Sequence, residues 1–464
     1  MNQEIDHLRG KIREVDERVL KLIKHRLDLA QKIGNLKKSH HLPITDTSVE
    51  KQVIDHALSV CKTLGLDERL AERLINLLMA ESVKIQGKSI AGRSSYLYEI
   101  FEMAEELESK GAKIVRMDAG EPDFTLSDPV KNIAKSAIDT KGLTSYVSSR
   151  GLSDLREAIA DNLNADFGVD IQPNQVLITP GGKYAVFAGI LASLSPLDRA
   201  VVPAPCWPVY EECVMLANGR TDYIHTTLED EWAIDTQKIK DAFDAGAKLL
   251  ILNNPCNPTG KIMSEENLRE IVSLAAQKNV LILSDEVYSA YAFKNFKSIL
   301  QVHDNKFICT NSFSKKFGMT GWRIGYVVAD SETISKIHKI LQVSVTCVPG
   351  FIQKAALAAL KSAEKNILKK EIKNRVEHAC KELNRLPISY FKPEGAMYIF
   401  PEVKIKNFNS HDFAKKLLIK ERVAVSPGVA FGNYPGYIRL AVTTSLANID
   451  EGIKRMGNLI KSSS

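Results

Sequence analysis

The first 88 residues of this 464-residue chain contain no phenylalanine, tyrosine or tryptophan, and only one proline. Aromatic residues nevertheless make up 7% of the whole chain, so all of them lie beyond this segment. Such an abrupt change in composition indicates two domains. We place the linker in the stretch G-K-S-I-A-G-R-S-S at 87–95, and we expect one domain at residues 1–88 and a second at residues 89–464.

Other absences narrow the class of protein. The seven cysteines include no Cys-x-x-Cys pair, which argues against a metal site and for reduced thiols in a cytoplasm. The net charge of +6 is spread without a basic tract, so we do not expect nucleic-acid binding. There is no signal-like start and no apolar run of membrane-spanning length. We therefore expect a cytoplasmic enzyme without a metal that acts on small anionic substrates.

Helical periodicity is strong in residues 1–88. Apolar residues recur at alternating steps of three and four from Ile5 to Leu36, which predicts one long helix of about ten turns. Arg26 interrupts this stripe between Leu22 and Leu29, and an unpaired guanidinium in a helix-packing seam would cost on the order of several kcal/mol. Arg26 therefore either pairs with a glutamate inside the bundle or belongs to a polar site.

More polar residues of this segment share helical faces. Asp46 and Glu50 are one turn apart, as are Ser82 and Gln86, and Ser82 continues an apolar stripe that faces inward. Glu50 has an alternative role, because it can close a capping box with Thr47. This number of inward polar groups favours a small polar site inside a helical bundle.

Residues 1–88 resemble a chorismate mutase of the all-helical type over nearly their full length. The motifs are L-R-G-K-I, H-R-L-D-L-A, G-N-L-K, P-I-T-D-T-S-V-E and E-S-V-K-I-Q. They match the family's site at seven positions, namely Arg9, Arg26, Lys37, Asp46, Glu50, Ser82 and Gln86. One departure is Val49, where some members carry a further arginine.

The resemblance implies roles for six of the seven matched groups. Arg9, arriving from the partner chain of an interlocked dimer, and Arg26 clamp the two substrate carboxylates. Lys37 and Gln86 donate to the ether oxygen as its bond breaks, while Asp46 and Glu50 hold the ring hydroxyl. Conformational restraint and charge stabilisation are sufficient for this rearrangement, which needs no nucleophile.

The second segment carries S-F-S-K-K-F-G-M-T-G-W-R-I-G-Y at 312–326, directly after an apolar run typical of a buried strand. Lys315 at such a strand end can form a Schiff base with an aldehyde cofactor. Ser312, Ser314 and Arg323 supply donors for a phosphate. Pyridoxal 5'-phosphate is the cofactor that requires both.

Upstream strand ends supply companion groups, because ligands of open α/β sheets bind at the carboxyl ends of the strands. N-V-L-I-L-S-D-E-V-Y ends in Asp285, suited to a pyridine nitrogen, and in Tyr288. Asn257 follows another apolar run. Gly181 and Gly182 open a helix whose bare backbone N–H groups suit phosphate.

Two further residues stand out by their surroundings. Trp207 lies between prolines after the next strand, where its ring either packs in the core or stacks on a cofactor. Arg439 is the one charge in the apolar strand Y-I-R-L-A-V, so a substrate carboxylate is a natural partner for it.

Residues 89–460 resemble the class I aminotransferases, pyridoxal-phosphate enzymes of fold type I. The resemblance implies an α/β fold with a large, mostly parallel-sheet domain and a small domain, preceded here by the all-α bundle. It makes Lys315 the Schiff-base and proton-shuttling lysine, Asp285 the partner of the pyridine nitrogen, and Tyr288 and Asn257 the partners of the phenolic oxygen. Its further matches are the stacking residue Trp207, the phosphate cradle of Gly181, Gly182, Ser312, Ser314 and Arg323, the subunit-crossing Tyr146, and the α-carboxylate groups Gly120 and Arg439.

Together the two resemblances imply a bifunctional homodimeric enzyme of aromatic amino-acid biosynthesis. Its second step would transaminate prephenate or an aromatic keto acid, with aspartate or glutamate as amino donor. Lys183 matches a lysine that faces the distal carboxylate of dicarboxylic substrates, or else it is a solvated lysine at a helix start. Two alternatives remain: the bundle is a non-catalytic sensor or dimerisation module, or the second domain is a pyridoxal-phosphate lyase.

Overall fold

The structure is a computed structural model that describes residues 2–39, 47–85, 92–124, 126–304, 306–362 and 365–463. The chain forms two compact units, Met1–Gly92 and Arg93–Ser464. Most of the predicted linker at 87–95 lies outside the described residues. Across the described part of the chain, no helix has both the length and the apolar character that spanning a bilayer requires.

The first unit is helical. It contains α1 (Asn2–Ser39), α2 (Thr47–Leu64) and α3 (Glu68–Ile85), and α3 packs against both of the others. The prediction of one long N-terminal helix is confirmed. Among the described residues, the packed part of α1 is its C-terminal half: Ala30 and Gly34 are buried, and Ile23 and Leu27 are half-buried.

The predicted apolar stripe of α1 is not the face that packs within this unit. Its members are exposed, from 40% for Ile5 to 68% for Leu22, and residues 3–9 and 11–22 are all exposed. Arg26, which interrupts this stripe, does lie at a helix-packing contact, because it is half-buried against α3. The apolar members of the stripe, by contrast, are exposed in the described part of the chain.

The second unit is an α/β structure. Its helices are α4 (Ser95–Ser109), α5 (Asp128–Asp139), α6 (Ser153–Phe167), α7 (Gly182–Ser193), α8 (Val209–Leu216), α9 (Thr236–Asp244), α10 (Glu265–Lys278), α11 (Phe313–Lys316), α12 (Ser331–Ser344), α13 (Gly350–Lys361), α14 (Lys365–Leu383), α15 (Ser410–Lys416) and α16 (Leu446–Ser463). Its strands are β1 (Val115–Met117), β2 (Val176–Thr179), β3 (Arg199–Ala204), β4 (Arg220–His225), β5 (Leu249–Asn253), β6 (Leu281–Asp285), β7 (Phe307–Ser312), β8 (Gly325–Ala329), β9 (Ile388–Ser389), β10 (Tyr398–Ile399), β11 (Glu402–Val403), β12 (Val423–Pro427) and β13 (Ile438–Ala441).

The large sheet has the strand order β2-β8-β7-β6-β5-β3-β4. Strands β3 to β7 pair in parallel, and only β8 runs antiparallel to its neighbours. Its central strands are nearly continuous apolar runs, because buried side chains cover both faces of the sheet. The prediction of a mostly parallel sheet is confirmed, and the parallel strands bring Asp285 and Ser312 to the same edge.

A smaller sheet of order β1-β12-β13-β10 forms a second core with α4, α14, α15 and α16. Strand β1 pairs in parallel with β12, whereas β12, β13 and β10 pair antiparallel. Arg439 lies in β13, opposite Ser426 of β12. The small-domain sheet therefore presents this arginine to the groups at the edge of the large sheet.

Candidate active sites

Strand β7 leads directly into the short helix α11, which carries two adjacent lysines. Lys315 Nζ donates to the carbonyl oxygen of Gly120 at 2.5 Å. Lys316 Nζ lies 3.6 Å from the carboxylate of Asp166, so the two ammonium groups have different surroundings. A Cβ built on Gly120 would lie 1.9 Å from the hydroxyl of Tyr398, so only glycine fits beside the amine.

The amine of Lys315 has an unusual electrostatic setting. Burial lowers its pKa to about 8, which leaves a usable neutral fraction near pH 7. The carboxylate of Glu121 opposes this shift, and the positive charges of Arg439, Arg323 and Lys183 reinforce it. A lysine poised in this way suits proton transfer or nucleophilic attack.

Asp285 ends strand β6 and is 3% exposed. Its Oδ2 accepts a hydrogen bond of 2.7 Å from the Tyr210 hydroxyl, and its Oδ1 accepts one of 3.1 Å from Thr310 Oγ1. Burial raises the pKa of this carboxyl to about 6, although those hydrogen bonds oppose the shift. A carboxylate held this deeply favours a cationic partner, because a charged N–H would recover the lost solvation.

Arg439 is 5% exposed and bridges the two cores. Its Nη1 donates to Asn257 Oδ1 at 2.9 Å, and its Nη2 donates to Ser426 Oγ at 3.0 Å and to the carbonyl of Asp118 at 2.5 Å. Its Nε is buried and has no hydrogen-bond partner among the described residues. The guanidinium therefore keeps a free donor for an acceptor such as a carboxylate.

Tyr288 lies beside the same group. Its hydroxyl shares a hydrogen bond of 2.8 Å with the hydroxyl of Tyr398, and the guanidinium of Arg439 lies 4.5 Å above the Tyr398 ring. Asn257, Tyr288 and Arg439 are thus brought together, in agreement with their predicted proximity to one ligand. Whether they bind it in the predicted roles stays a prediction.

An anion cradle forms where α7 begins. Gly181 has φ +86°, and a Cβ built on it would lie 2.6 Å from Arg323 Nη2. A Cβ on Gly182 would lie 3.2 Å from Ser312 Cβ, and Ser314 N donates to Ser312 Oγ at 3.2 Å. Five of the predicted residues therefore converge on one helix N-terminus, where backbone N–H groups, hydroxyls and a guanidinium suit a phosphate.

Three more predicted residues have distinct positions. The Trp207 ring packs edge-on against Tyr210 with a centroid distance of 5.5 Å. Lys183 Nζ lies 5.4 Å from the Trp207 ring centroid and donates to the Tyr98 hydroxyl at 3.1 Å. Tyr146 is 86% exposed, and it is not brought to the other groups within one chain.

In the helical unit, α1 and α3 meet at a polar contact. Arg26 Nη1 donates to Ser82 Oγ at 2.6 Å and to the carbonyl of Leu78 at 2.7 Å, and Ser82 is buried as predicted. Burial lowers the pKa of the Arg26 guanidinium. Asp46 and Gln86 lie outside the described residues, as does the side chain of Glu50.

Arg9 and Lys37 lie on the same helix as Arg26. Lys37 follows Arg26 by eleven residues, or about three turns, so both lie on nearly the same face. Arg9 precedes Arg26 by 17 residues, or about 25 Å along the axis, and it is exposed beside Asp6 at 3.2 Å. No small substrate spans that distance, so Arg9 and Arg26 of one chain cannot clamp one molecule.

Sequence reasoning missed two tyrosines of the site. Tyr210 binds Asp285, and Tyr398 fills the space between Gly120, Tyr288 and Arg439. Both are fully buried aromatic residues in apolar surroundings. An uncharged aromatic residue has no spacing or charge signal that separates a ligand partner from a core residue.

Comparisons with known proteins agree with this geometry. The family model "Aminotransferase class I and II" matches residues 112–456, and "Chorismate mutase type II" matches residues 8–87. Aromatic-amino-acid aminotransferase 2 of Thermococcus litoralis is 32% identical over 79% of this chain and 96% of its own length. A probable aspartate/prephenate aminotransferase of Aquifex aeolicus is 33% identical over 80% of this chain and 98% of its own.

Solved structures give the same assignment. The crystal structure of an aspartate aminotransferase from Thermotoga maritima superposes with a TM-score of 0.75 at 32% identity, over 79% of this chain and 97% of that one. The chain therefore belongs to the class I and II aminotransferase family. It is a pyridoxal-phosphate-dependent enzyme of fold type I that also carries an N-terminal chorismate mutase type II domain.

The residues present fit pyridoxal 5'-phosphate. The space left by Gly181 next to Arg323 accepts a phosphate, the amine of Lys315 suits the aldehyde, and the buried carboxyl of Asp285 suits a protonated ring nitrogen. The hydrogen-bond donors and the space left by the two glycines therefore fit the phosphate, the aldehyde and the ring nitrogen of the family's cofactor.

Proposed function

We propose that this chain is a bifunctional enzyme of aromatic amino-acid biosynthesis. Residues 1–88 would convert chorismate to prephenate, and residues 89–464 would transaminate prephenate or an aromatic keto acid with aspartate or glutamate as amino donor. One chain contains two features that together support the proposal. Arg26 of α1 contacts Ser82 of α3, and the amine of Lys315 has a pKa of about 8.

Transamination needs a cofactor that is held and oriented. When bound, pyridoxal phosphate supplies an aldehyde that takes up the amino group and a ring that withdraws electrons from the α-carbon. Lys315 would hold the aldehyde through its amine, and the same amine would move the α-proton of the substrate as a general base and acid. Its lowered pKa suits both directions of that transfer.

The other residues position the groups that react. Asp285 would hold the cofactor at its protonated ring nitrogen, Tyr288 and Asn257 would hold its phenolic oxygen, and Trp207 would pack against its ring. The cradle of Gly181, Gly182, Ser312, Ser314 and Arg323 would bind the phosphate, and Tyr146 of the partner subunit would complete it. Arg439, through its free Nε, and Gly120 hold the α-carboxylate of the substrate.

The mutase step would use cations on α1. Arg26 binds one carboxylate of chorismate from its position beside Ser82, and Arg9 of the second chain binds the other. Lys37 and Gln86 stabilise the developing charge on the ether oxygen, and Asp46 and Glu50 hold the ring hydroxyl. Holding both carboxylates restricts the flexible side chain of the substrate to the reactive conformation.

The exposed half of α1 supports a homodimer. Most helical stability in proteins comes from the packing of an amphipathic face, and the apolar stripe of α1 has no partner among the described residues of the same chain. A second copy of the chain placed along the stripe would bury it. Arg9 lies about 25 Å along the helix from Arg26 of the same chain, so in such a dimer it could reach the site of the other chain. Tyr146, 86% exposed, is likewise available to a neighbouring subunit.

Prephenate is the favoured acceptor because of Lys183. Its ammonium lies near the Trp207 ring and donates one hydrogen bond to the Tyr98 hydroxyl. Because an ammonium has three donors, it can also bind a second carboxylate on the substrate. Prephenate, aspartate and glutamate all have such a group, and phenylpyruvate does not.

The test is a panel of single turnovers. The aminated form of the holoenzyme is mixed with prephenate, phenylpyruvate, hydroxyphenylpyruvate, oxaloacetate or 2-oxoglutarate, and recovery of the cofactor absorbance is followed. We expect prephenate and the dicarboxylic acids to react fastest. A faster reaction with phenylpyruvate would replace the prephenate proposal by aromatic transamination, and keto-acid-independent release of ammonia or pyruvate from amino acids would identify a lyase.

A further inference from the structure

A cavity of about 750 Å³ lies within the second unit, next to the loop that carries Asn257. Its apolar wall includes Val202, Ile234, Ile251, Met263 and Phe296. Lys315, Arg439 and the phosphate cradle do not line it, so it is separate from the site already described. Its volume falls in the range of about 300–1,000 Å³ that is usual for small-molecule sites.

Five charged side chains line this cavity, namely Lys261, Glu265, Lys294, Lys297 and Glu394. Lys261 Nζ lies 3.8 Å from Glu394 and 3.9 Å from Glu231, both beyond hydrogen-bond distance, and 4.7 Å from the centre of the Phe391 ring. Glu394 accepts from Lys294 Nζ at 2.7 Å and from the backbone N–H of Ile262 at 3.2 Å. The ammonium of Lys261 therefore has donors to spare for an anion, and a carboxylate stands next to it.

The cavity shares a wall with the cofactor site. Asn253 lines the cavity, donates from Nδ2 to the carbonyl of Asp285 at 2.9 Å, and accepts at Oδ1 from the N–H of Asn257 at 2.7 Å. Tyr210 also lines the cavity, and its hydroxyl binds Asp285 Oδ2. A molecule in the cavity would therefore contact two residues that fix Asp285.

We propose that this cavity binds a free α-amino acid with an apolar side chain. The carboxylate of the ligand pairs with Lys261, its ammonium pairs with Glu394, and its side chain packs on the apolar wall. Because Asn253 and Tyr210 connect the cavity to Asp285, the occupant changes the affinity for the cofactor, and the coupling is reciprocal. The cavity is thus a second amino-acid site that regulates the transaminase.

The test uses α-methyl-L-phenylalanine, which lacks an α-proton and cannot be transaminated, and calorimetry of the full-length holoenzyme. We expect one binding event that persists in Arg439→Met, which weakens α-carboxylate binding at the catalytic site. That event should be weakened at least about tenfold in Lys261→Met, as for a lost charged hydrogen bond. Lys404→Met, an exposed lysine that does not line the cavity, is the matched control and should leave it unchanged.

A second variant covers the case in which Lys261→Met does not fold. Ala233 lies exposed at the cavity, so Ala233→Trp should occlude it without disturbing the core and should abolish the same event. The probe should also change the rate of cofactor release from the Arg439→Met holoenzyme. Loss of all binding in Arg439→Met, equal affinity in Lys261→Met and Lys404→Met, or an unchanged release rate would overturn the proposal.

Discussion

The chemistry of Lys315 depends on where its amine points. Lys315 faces Gly120 under the influence of Arg439 and Arg323, whereas Lys316 turns to Asp166. We expect purified Lys315→Ala to lack the visible absorbance of covalently held cofactor and Lys316→Ala to retain it. A spectrum that is lost in the Lys316 variant and kept in the Lys315 variant would show that the two roles are reversed.

The lowered pKa of Lys315 predicts how the apoenzyme recaptures its cofactor. Only the neutral amine attacks the aldehyde, and a folded-state pKa of about 8 instead of the usual value near 10.5 makes about one-tenth of it neutral at pH 7. The rate of attachment, followed by stopped-flow absorbance, should rise with pH and level off above about pH 8. Glu121→Gln removes the charge that opposes the shift, so its midpoint should move to lower pH. A rate that still climbs above pH 10 would contradict the assignment.

Lys183 determines the preference for dicarboxylic substrates in this account. Lys183→Met should lower kcat/KM for prephenate and aspartate about ten- to hundredfold, because a charged hydrogen bond is worth roughly 1.5–3 kcal/mol. Phenylpyruvate should be nearly unaffected, and so should every substrate in the control Lys240→Met, an exposed lysine elsewhere on the domain. An equal loss for all substrates would indicate damaged cofactor binding instead.

Residues that stand out by charge were accessible from the sequence, and those that act through shape were not. Arg439 was predictable as a lone cation in an apolar strand, and its free Nε agrees with that interpretation. Tyr398 and Tyr210 were not predictable, because burial alone explains an aromatic residue in a strand or helix. The hydrogen bond from the Tyr210 hydroxyl to Asp285 therefore became visible only with the structure.

At the level of elements, the sequence predicted that α1 is a long helix but not which of its faces packs within the chain. The period of its apolar residues predicted the long helix correctly. It did not show that Ile23, Leu27, Ala30 and Gly34 form the packing face within the chain, because Ile23 and Leu27 lie off the regular stripe and the small Ala30 and Gly34 contribute little to a hydrophobic pattern. An apolar stripe that is exposed in one chain indicates a contact with another molecule.

Helix α1 therefore predicts that each mutase site is built from two chains. Arg9→Ala and Arg26→Ala should each be inactive as homodimers. Co-expressed, they should recover about one quarter of the wild-type mutase activity, because half of the dimers are mixed and each mixed dimer keeps one of its two sites intact. No recovery in mixed dimers of proven composition would mean that Arg9 acts within its own chain, which would contradict the two-chain site.

At the level of the whole molecule, the chain has two compact units, and our proposal assigns one reaction to each. Residues 1–88 have the polar α1–α3 contact, and residues 89–464 have the lysine and its cofactor cradle. Separate cores mean that damage to one site need not reach the other, since mutational effects at distant sites are usually additive. Composition alone predicted two domains, whereas the choice of reaction depended on individual side chains.

The central claim of two activities in one chain is tested by supplying chorismate and aspartate together to the wild type, to Arg26→Met and to Lys315→Ala. The wild type should form both prephenate and its aminated product. Arg26→Met should make no prephenate and still aminate added prephenate, while the control Lys21→Met, another cation of α1, keeps both steps. Lys315→Ala should accumulate prephenate without aminating it. Mutase activity that is absent from the wild type, or that survives in Arg26→Met, would contradict the account.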